Sequence, residues 1–428
     1  MEELANRETF RHYMFFWIGQ LFSLLGSMVV FFVLMFWIAA VYNNPMISAF
    51  ASFLYIIVLT ISMPIAGVVA DRVNRKLLII VADSSQAFVT FGLILFFQFG
   101  LANIWIVYIF LSLRSVCQAF HAPTVNAIIP TMVPKEKLSR INGVTFLFTG
   151  VVQMFAPAIG ATLWAFLTVN LILWADVITF FIALVPLLMI SIPSVNQINH
   201  SDDEAEKSSF IKEFRLGIKT LKLIPGVITL LILAMILNFL IRPLDSQMAL
   251  FILNFHGGVA GHLALAQMTF TAGLISGALF TSVKKNWNNK IKTIFIALGI
   301  AMVGYLIFAL APPGQYYILA VGGIVLGFNL PIVNSLAQTY MQTAVPPDKL
   351  GRVGSIDHAL SSAISPIGSI LSGPLALLFG LQGLFILCSV IGIASTIGFW
   401  SFTGIRKVDF DSESTLKEIN GKIENISI

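Results

Sequence analysis

The chain has 428 residues, of which 57% are hydrophobic and 11% charged, with a formal net charge of +5. Soluble domains carry about 25% charged residues, so this composition excludes a water-soluble globular protein. It fits an integral membrane protein built of apolar runs, each needing roughly 20 residues to cross the hydrocarbon.

Twelve such runs are legible. Spans 1 to 6 are Tyr13 to Val41, Ile47 to Ala70, Leu77 to Phe99, Ile104 to Ile129, Val144 to Leu167 and Leu171 to Ile192. Spans 7 to 12 are Val227 to Phe255, Leu263 to Val283, Thr293 to Ala311, Tyr316 to Met341, Val353 to Phe379 and Leu384 to Phe402. Every Lys and Arg except Arg114 and Arg242 falls in the termini or the even-numbered loops. That asymmetry predicts both termini and all even-numbered loops in the cytoplasm, in the cell membrane. It also argues against a nucleic-acid partner, since the cations are spread along one membrane face. Cys117 and Cys388 both lie inside spans, so neither a disulfide nor a metal site is expected.

Span 1 is too long for a signal-peptide core and is expected to stay attached. Its Gln20, Ser23 and Ser27 recur at helical spacing and form a polar stripe turned from lipid, for interhelical hydrogen bonds or for substrate.

Between spans 2 and 3, Gly67 to Lys76 reads GVVADRVNRK. Such a charge cluster belongs at the water boundary, because a charge at the bilayer centre is costly. The spacing of Gly67, Asp71, Arg72, Arg75 and Lys76 resembles the loop 2–3 signature of the major facilitator superfamily, with Asn74 where the signature has glycine. Asparagine tolerates a left-handed turn, so Asn74 is expected to supply one, and Gly67 to turn the chain out of span 2. The resemblance implies a cytoplasmic gate in which Asp71 meets a helix end in the other half. It places the cations against carboxylates and lipid phosphates. The alternative is a positive-inside anchor without a moving part.

In span 3, Asp83 lies seven residues beyond Lys76 and is expected to pair with the loop cations or to titrate. Arg114 in span 4 keeps its charge and therefore needs a carboxylate, carbonyls or water beside it. Its stretch Arg114 to Gln118 resembles the superfamily's R-x-x-Q-G signature, with Ala119 for glycine, which implies a part in proton coupling. The run His121 to Gly143, Asp176 in span 6 and LGRV in loop 10–11 resemble the drug:proton antiporter group that includes bacterial macrolide efflux proteins. Asp176 is expected near the outer end in a structural role. In span 5, Pro157 and Gly160 predict either a kink or close packing through small residues.

Residues 193–225 form a polar linker. An acidic run, Asp202 to Glu206, precedes FIKEFRLGIKTLKLI, whose apolar residues recur at three- and four-residue steps. That period predicts an amphipathic helix on the inner membrane surface. Across the linker the sequence repeats: VPKEKLSRING at Val133 aligns with VPPDKLGRVGS at Val345.

In span 7, Arg242 and Asp245 share a face, with Pro243 between them, so the two charges either neutralise each other or line a cavity. Span 10 carries Asn329, Pro331, Asn334 and Gln338, and span 11 carries Asp357 and His358. The resemblance places spans 1, 4, 7 and 10 around a central cavity. It therefore makes Gln20, Arg114, Arg242, Asp245, Asn334 and Gln338 cavity or coupling residues, with Asp245 the titrating carboxylate and Asp357 a receiver of the gate.

The fold expected is an all-α integral membrane protein, twelve transmembrane helices in two six-helix parallel pseudo-repeats. Its parts are an N-terminal bundle (1–192), a cytoplasmic linker (193–225), a C-terminal bundle (226–403) and a cytoplasmic tail (404–428). The function expected from the resemblance is proton-coupled export of amphipathic hydrophobic compounds by alternating access, by a monomer. An endogenous metabolite such as a siderophore is an alternative cargo, and a non-transporting sensor or scaffold an alternative role. No Walker-type loop, nucleophile-base-acid set or cofactor motif is present, so an ion gradient rather than ATP is expected to drive transport, and no enzyme activity is expected. The partners expected are a small amphipathic molecule, protons and membrane lipid.

Overall fold

The computed structural model describes residues 6–192, 210–284 and 286–408. The acidic run at 202–206 and the tail beyond Val408 lie outside the described residues. Those described are helical apart from short connections, and they contain no strand.

Asparagines start many of the helices. Helix α1 (Arg7–Tyr42) is capped by Asn6, α2 (Pro45–Arg72) by Asn44, α3 (Arg75–Gln98) by Asn74 and α4 (Ile104–Met132) by Asn103. Each side-chain oxygen accepts from a backbone N–H in the first turn, which the helix itself leaves without a partner. Asn43 ends α1 in the left-handed conformation at φ 46°, so two adjacent asparagines close one helix and open the next. Two further helices, α5 (Lys135–Phe166) and α6 (Val169–Met189), complete the first six spans.

The linker helix α7 (Phe210–Leu223) follows. Its last apolar residues, Leu221 and the adjoining Ile224, are buried at 0% and 1% exposure, and α7 rests on α12 (Pro347–Ala363). At this end its apolar side faces protein, whereas a surface helix would turn it to lipid. Beyond it come α8 (Val227–Leu250), prolonged by a π turn over Phe251–Phe255, then α9 (Ala260–Val283), α10 (Lys290–Leu310), α11 (Tyr316–Ala344) and α13 (Ser365–Phe402).

Eleven stretches among the described residues are long and apolar enough to cross a membrane, and the last of them, Lys349–Phe402, has 54 residues. At 1.5 Å per residue it would reach about 80 Å, more than twice the hydrocarbon thickness. Gly380 breaks it, with φ 72° and ψ 163°, values open to glycine alone. The stretch is therefore long enough to cross twice, which makes twelve spans among the described residues.

The chain divides into two compact units, Met1–Glu204 with Gly258–Met268, and Ala205–Gly257 with Thr269–Ile428. In the first, α1 lies against α5 and α6, α2 against α4, and α3 against α4 and α6. Its apolar core holds Val30, Leu34, Leu93, Val107 and Leu173 at one level and Tyr13, Phe16, Ile79 and Met132 at another. The second unit repeats that pairing. Its α8 meets both arms of α13, through Gln247 to Ser372 and through Phe251 to Phe385. Helix α10 lies against α11 and the second arm of α13, while Gly273 and Gly277 of α9 abut the α11 backbone. The repeat read in sequence thus returns as a repeat of helix neighbours.

Candidate functional site

Arg114 is sealed inside the first unit, and its partner is Asp176. Donors surround that carboxylate. Its Oδ1 accepts from Ser27 Oγ at 2.8 Å and Gln86 Nε2 at 3.4 Å, and its Oδ2 from Thr90 Oγ1 at 2.6 Å and from Arg114 Nη1. Arg114 also donates to Thr90 Oγ1 and to the Ser27 carbonyl. Four helices, α1, α3, α4 and α6, are tied at one point. Asp176, expected apart from the functional set in a structural role, is therefore the counter-ion of the arginine singled out in span 4. Burying two charges is costly unless pairing and hydrogen bonds satisfy both, and here every carboxylate lone-pair direction has a donor.

A second polar group lies one heptad away on three of those helices, α1, α3 and α4. Asp83 precedes Thr90 by seven residues on α3, His121 follows Arg114 by seven along α4, and Gln20 precedes Ser27 by seven on α1. Gln20 Nε2 donates to Asp83 Oδ2 at 3.4 Å, and His121 Nε2 lies 2.8 Å from Gln20 Oε1 and 3.4 Å from Asp83 Oδ1. The expectation that Asp83 pairs with the loop cations is corrected here. A helix rises only 1.5 Å per residue, which carries Asp83 roughly 10 Å past Lys76 and out of its reach.

The loop cations instead reach helix carbonyls. Arg75 donates to the Ala127 carbonyl at 2.8 Å, and Lys76 Nζ to the carbonyls of Leu188, at 3.0 Å, and Ile190. The Leu188 and Ile190 carbonyls lie at the end of α6, where acceptors are left over and the helix dipole is negative, while Ala127 lies five residues before the end of α4. This replaces the expected stacking on carboxylates for these two residues. Arg72 is the exposed last residue of α2; Asp71 precedes it, and its side chain lies outside the described residues. Gly67 sits within α2 with open space where a Cβ would be, so it makes no turn. The chain turns at Val73 instead, and Asn74, at φ −58°, caps α3 and is not left-handed.

In the second unit, Arg242 Nη1 lies 3.4 Å from Asp245 Oδ2, with side chains 34% and 66% exposed. Helix α8 runs unbroken through Pro243. Asp245 stands ten residues, roughly 15 Å, from the Phe255 end of its span. On α11, Asn334 and Gln338 are exposed one turn apart, while Asn329 is buried and donates to the Val325 carbonyl at 2.8 Å. In α5, Pro157 and Gly160 are buried, and a Cβ on Gly160 would stand 2.7 Å from Phe32 Cδ1, so the glycine admits a ring of α1.

A family model described as Major Facilitator Superfamily matches residues 16–366. The chain belongs to the Major Facilitator Superfamily. Macrolide efflux protein A of Streptococcus pyogenes is 27% identical to it over 393 residues, 92% of this chain and 96% of that protein. Macrolide efflux protein A of Enterococcus faecalis is 27% identical over 305 residues, 71% of this chain and 93% of that one. Among solved structures, the nucleoside transporter NupG superposes with a TM-score of 0.69 at 14% identity, over 91% of this chain and 99% of NupG. That likeness shows a shared fold. The protein is a multi-pass membrane transporter, not an enzyme.

In this Major Facilitator Superfamily chain, sequence reasoning missed His121 as the neighbour of Gln20 and Asp83, and Gln86 and Thr90 as partners of Asp176. A signal was present. Asp83, Gln86 and Thr90 recur at i, i+3 and i+7 on span 3, the same spacing that drew attention to span 1.

Proposed function

We propose that this transporter exports amphipathic, hydrophobic compounds of the macrolide kind, driven by protons and working by alternating access, from a cell membrane with both termini in the cytoplasm. The observation that carries the reading is the Arg242–Asp245 pair. A carboxylate side chain 66% exposed within a span cannot rest in oil, so it faces a wet route through the membrane. Asn334 and Gln338 add exposed polar groups, and Gln20 and Arg114 belong to the polar set of the first unit. The choice of cargo rests on the macrolide efflux proteins, matched over nearly their whole length. Gly67, Asp71, Arg72, Arg75 and Lys76 form the cytoplasmic gate, and the protein works as a monomer.

The test is uptake and efflux of a labelled macrolide and of several hydrophobic dyes in proteoliposomes under an imposed pH gradient. Wild type is expected to accumulate cargo against its gradient, and Asp245→Asn and Arg114→Ala to lose that accumulation. A pH gradient that drives none of these compounds overturns the reading.

A further inference from the structure

We propose that Asp83 and His121, bridged by the Gln20 amide, form the proton-binding site of this transporter. The proposal rests on the proton-coupled reading above and places the proton in the first unit, apart from Asp245.

The two polar groups of that unit differ in kind. Asp176 accepts from four donors and is locked to Arg114, with side chains 4% and 6% exposed. An extra proton there would break a satisfied buried pair, so this group is a fixed strut. Asp83 has two polar neighbours, both at 3.4 Å, and the side chains of Asp83 and His121 are 9% and 19% exposed. It is held loosely, by two contacts where Asp176 has four.

Gln20 makes the pair two-state. Its Oε1 only accepts, so the 2.8 Å contact requires a hydrogen on His121 Nε2, while its Nε2 donates to ionised Asp83. When a proton arrives at His121 Nδ1, the ring can pass its Nε2 hydrogen to Asp83 Oδ1 as the 3.4 Å gap closes. The imidazole stays neutral in its other tautomer, and the carboxylate becomes a donor. The amide then turns over, so that Oε1 accepts from Asp83 and Nε2 donates to His121 Nε2. One proton is bound, one charge is lost, and α1, α3 and α4 exchange their contacts together. Besides Gln20, the charged group that acts on the pair, through Asp83, is Asp176 on α6; Cys117 on α4 lies in the field of Asp83, Arg114 and Asp176, and Tyr55 on α2 in that of Arg114. Of these, Arg114 and Asp176 neutralise each other.

The test has two arms. In proteoliposomes, macrolide exchange at equal pH on both sides is followed across pH, together with accumulation under a pH gradient. Asp83→Asn is expected to exchange cargo at a rate independent of pH and to lose accumulation. His121→Asn should move the pH midpoint of exchange, and Asp83→Glu should restore a pH dependence. In infrared difference spectra, acidification of the whole protein should raise a carboxylic C=O band that is missing in Asp83→Asn and present in Asp245→Asn. Full accumulation by Asp83→Asn, or the band persisting in it, overturns the proposal. A wild type that no pH gradient drives sinks the exporter reading instead, and the infrared arm then decides alone whether this pair takes the proton.

Discussion

Arg114 on α4 and Asp176 on α6, 62 residues apart in the chain, form an ion pair whose side chains are 6% and 4% exposed. Removing one partner leaves a buried charge without its counter-ion, at a cost of about 3–5 kcal/mol. Arg114→Met and Asp176→Leu should each lower the thermal stability of the detergent-solubilised protein sharply, and the double variant should recover much of the loss. Single variants as stable as wild type would show that the pair carries no such weight.

Gly277 of α9 admits the α11 backbone, since a Cβ there would stand 2.0 Å from the Phe328 carbonyl oxygen. Backbone cannot swing aside as a side chain can, so Gly277→Ala should cost at least the 1–3 kcal/mol, roughly, of core overpacking. Gly299→Ala, with nothing within 4 Å, serves as the control and should be neutral. Melting curves of the two side by side decide the matter.

Asn74 gives a finer test because two local roles predict opposite results. As a cap on α3 with φ −58°, it should lose about 1 kcal/mol on Asn74→Ala and only a few tenths on Asn74→Gly. A left-handed asparagine would instead be stabilised by glycine. Thermal stability ranked wild type, then Gly, then Ala is the expected outcome.

His256, just past the π turn, is 5% exposed among the rings of Phe251, Phe255 and Tyr316. Burial pushes its pKa below the ordinary 6.5. The fold keeps the neutral ring and unfolding frees it to protonate, so its contribution is intact above pH 6.5 and is lost as pH falls toward the folded value. Stability measured from pH 7 downward should fall less steeply in His256→Gln. Identical slopes would remove His256 as the cause.

The sequence by itself determined the membrane class, the twelve crossings, the internal repeat and the family, down to Asp71, Arg72, Arg75 and Lys76 in loop 2–3. These are properties of neighbouring residues: hydropathy over a span, charge in a loop, spacing in a motif. It also marked Arg114 as needing company, because an arginine in oil cannot be left alone. Which residue keeps it company was not legible, since helical periodicity says what faces inward and not what stands opposite. Only the packing of α1, α3, α4 and α6 set Asp176 against Arg114, drew His121 to Gln20 and Asp83, and turned Arg75 and Lys76 onto helix carbonyls. Tertiary structure decided those pairs because each joins atoms distant in the chain, brought together by apolar contacts that the polar residues themselves do not encode.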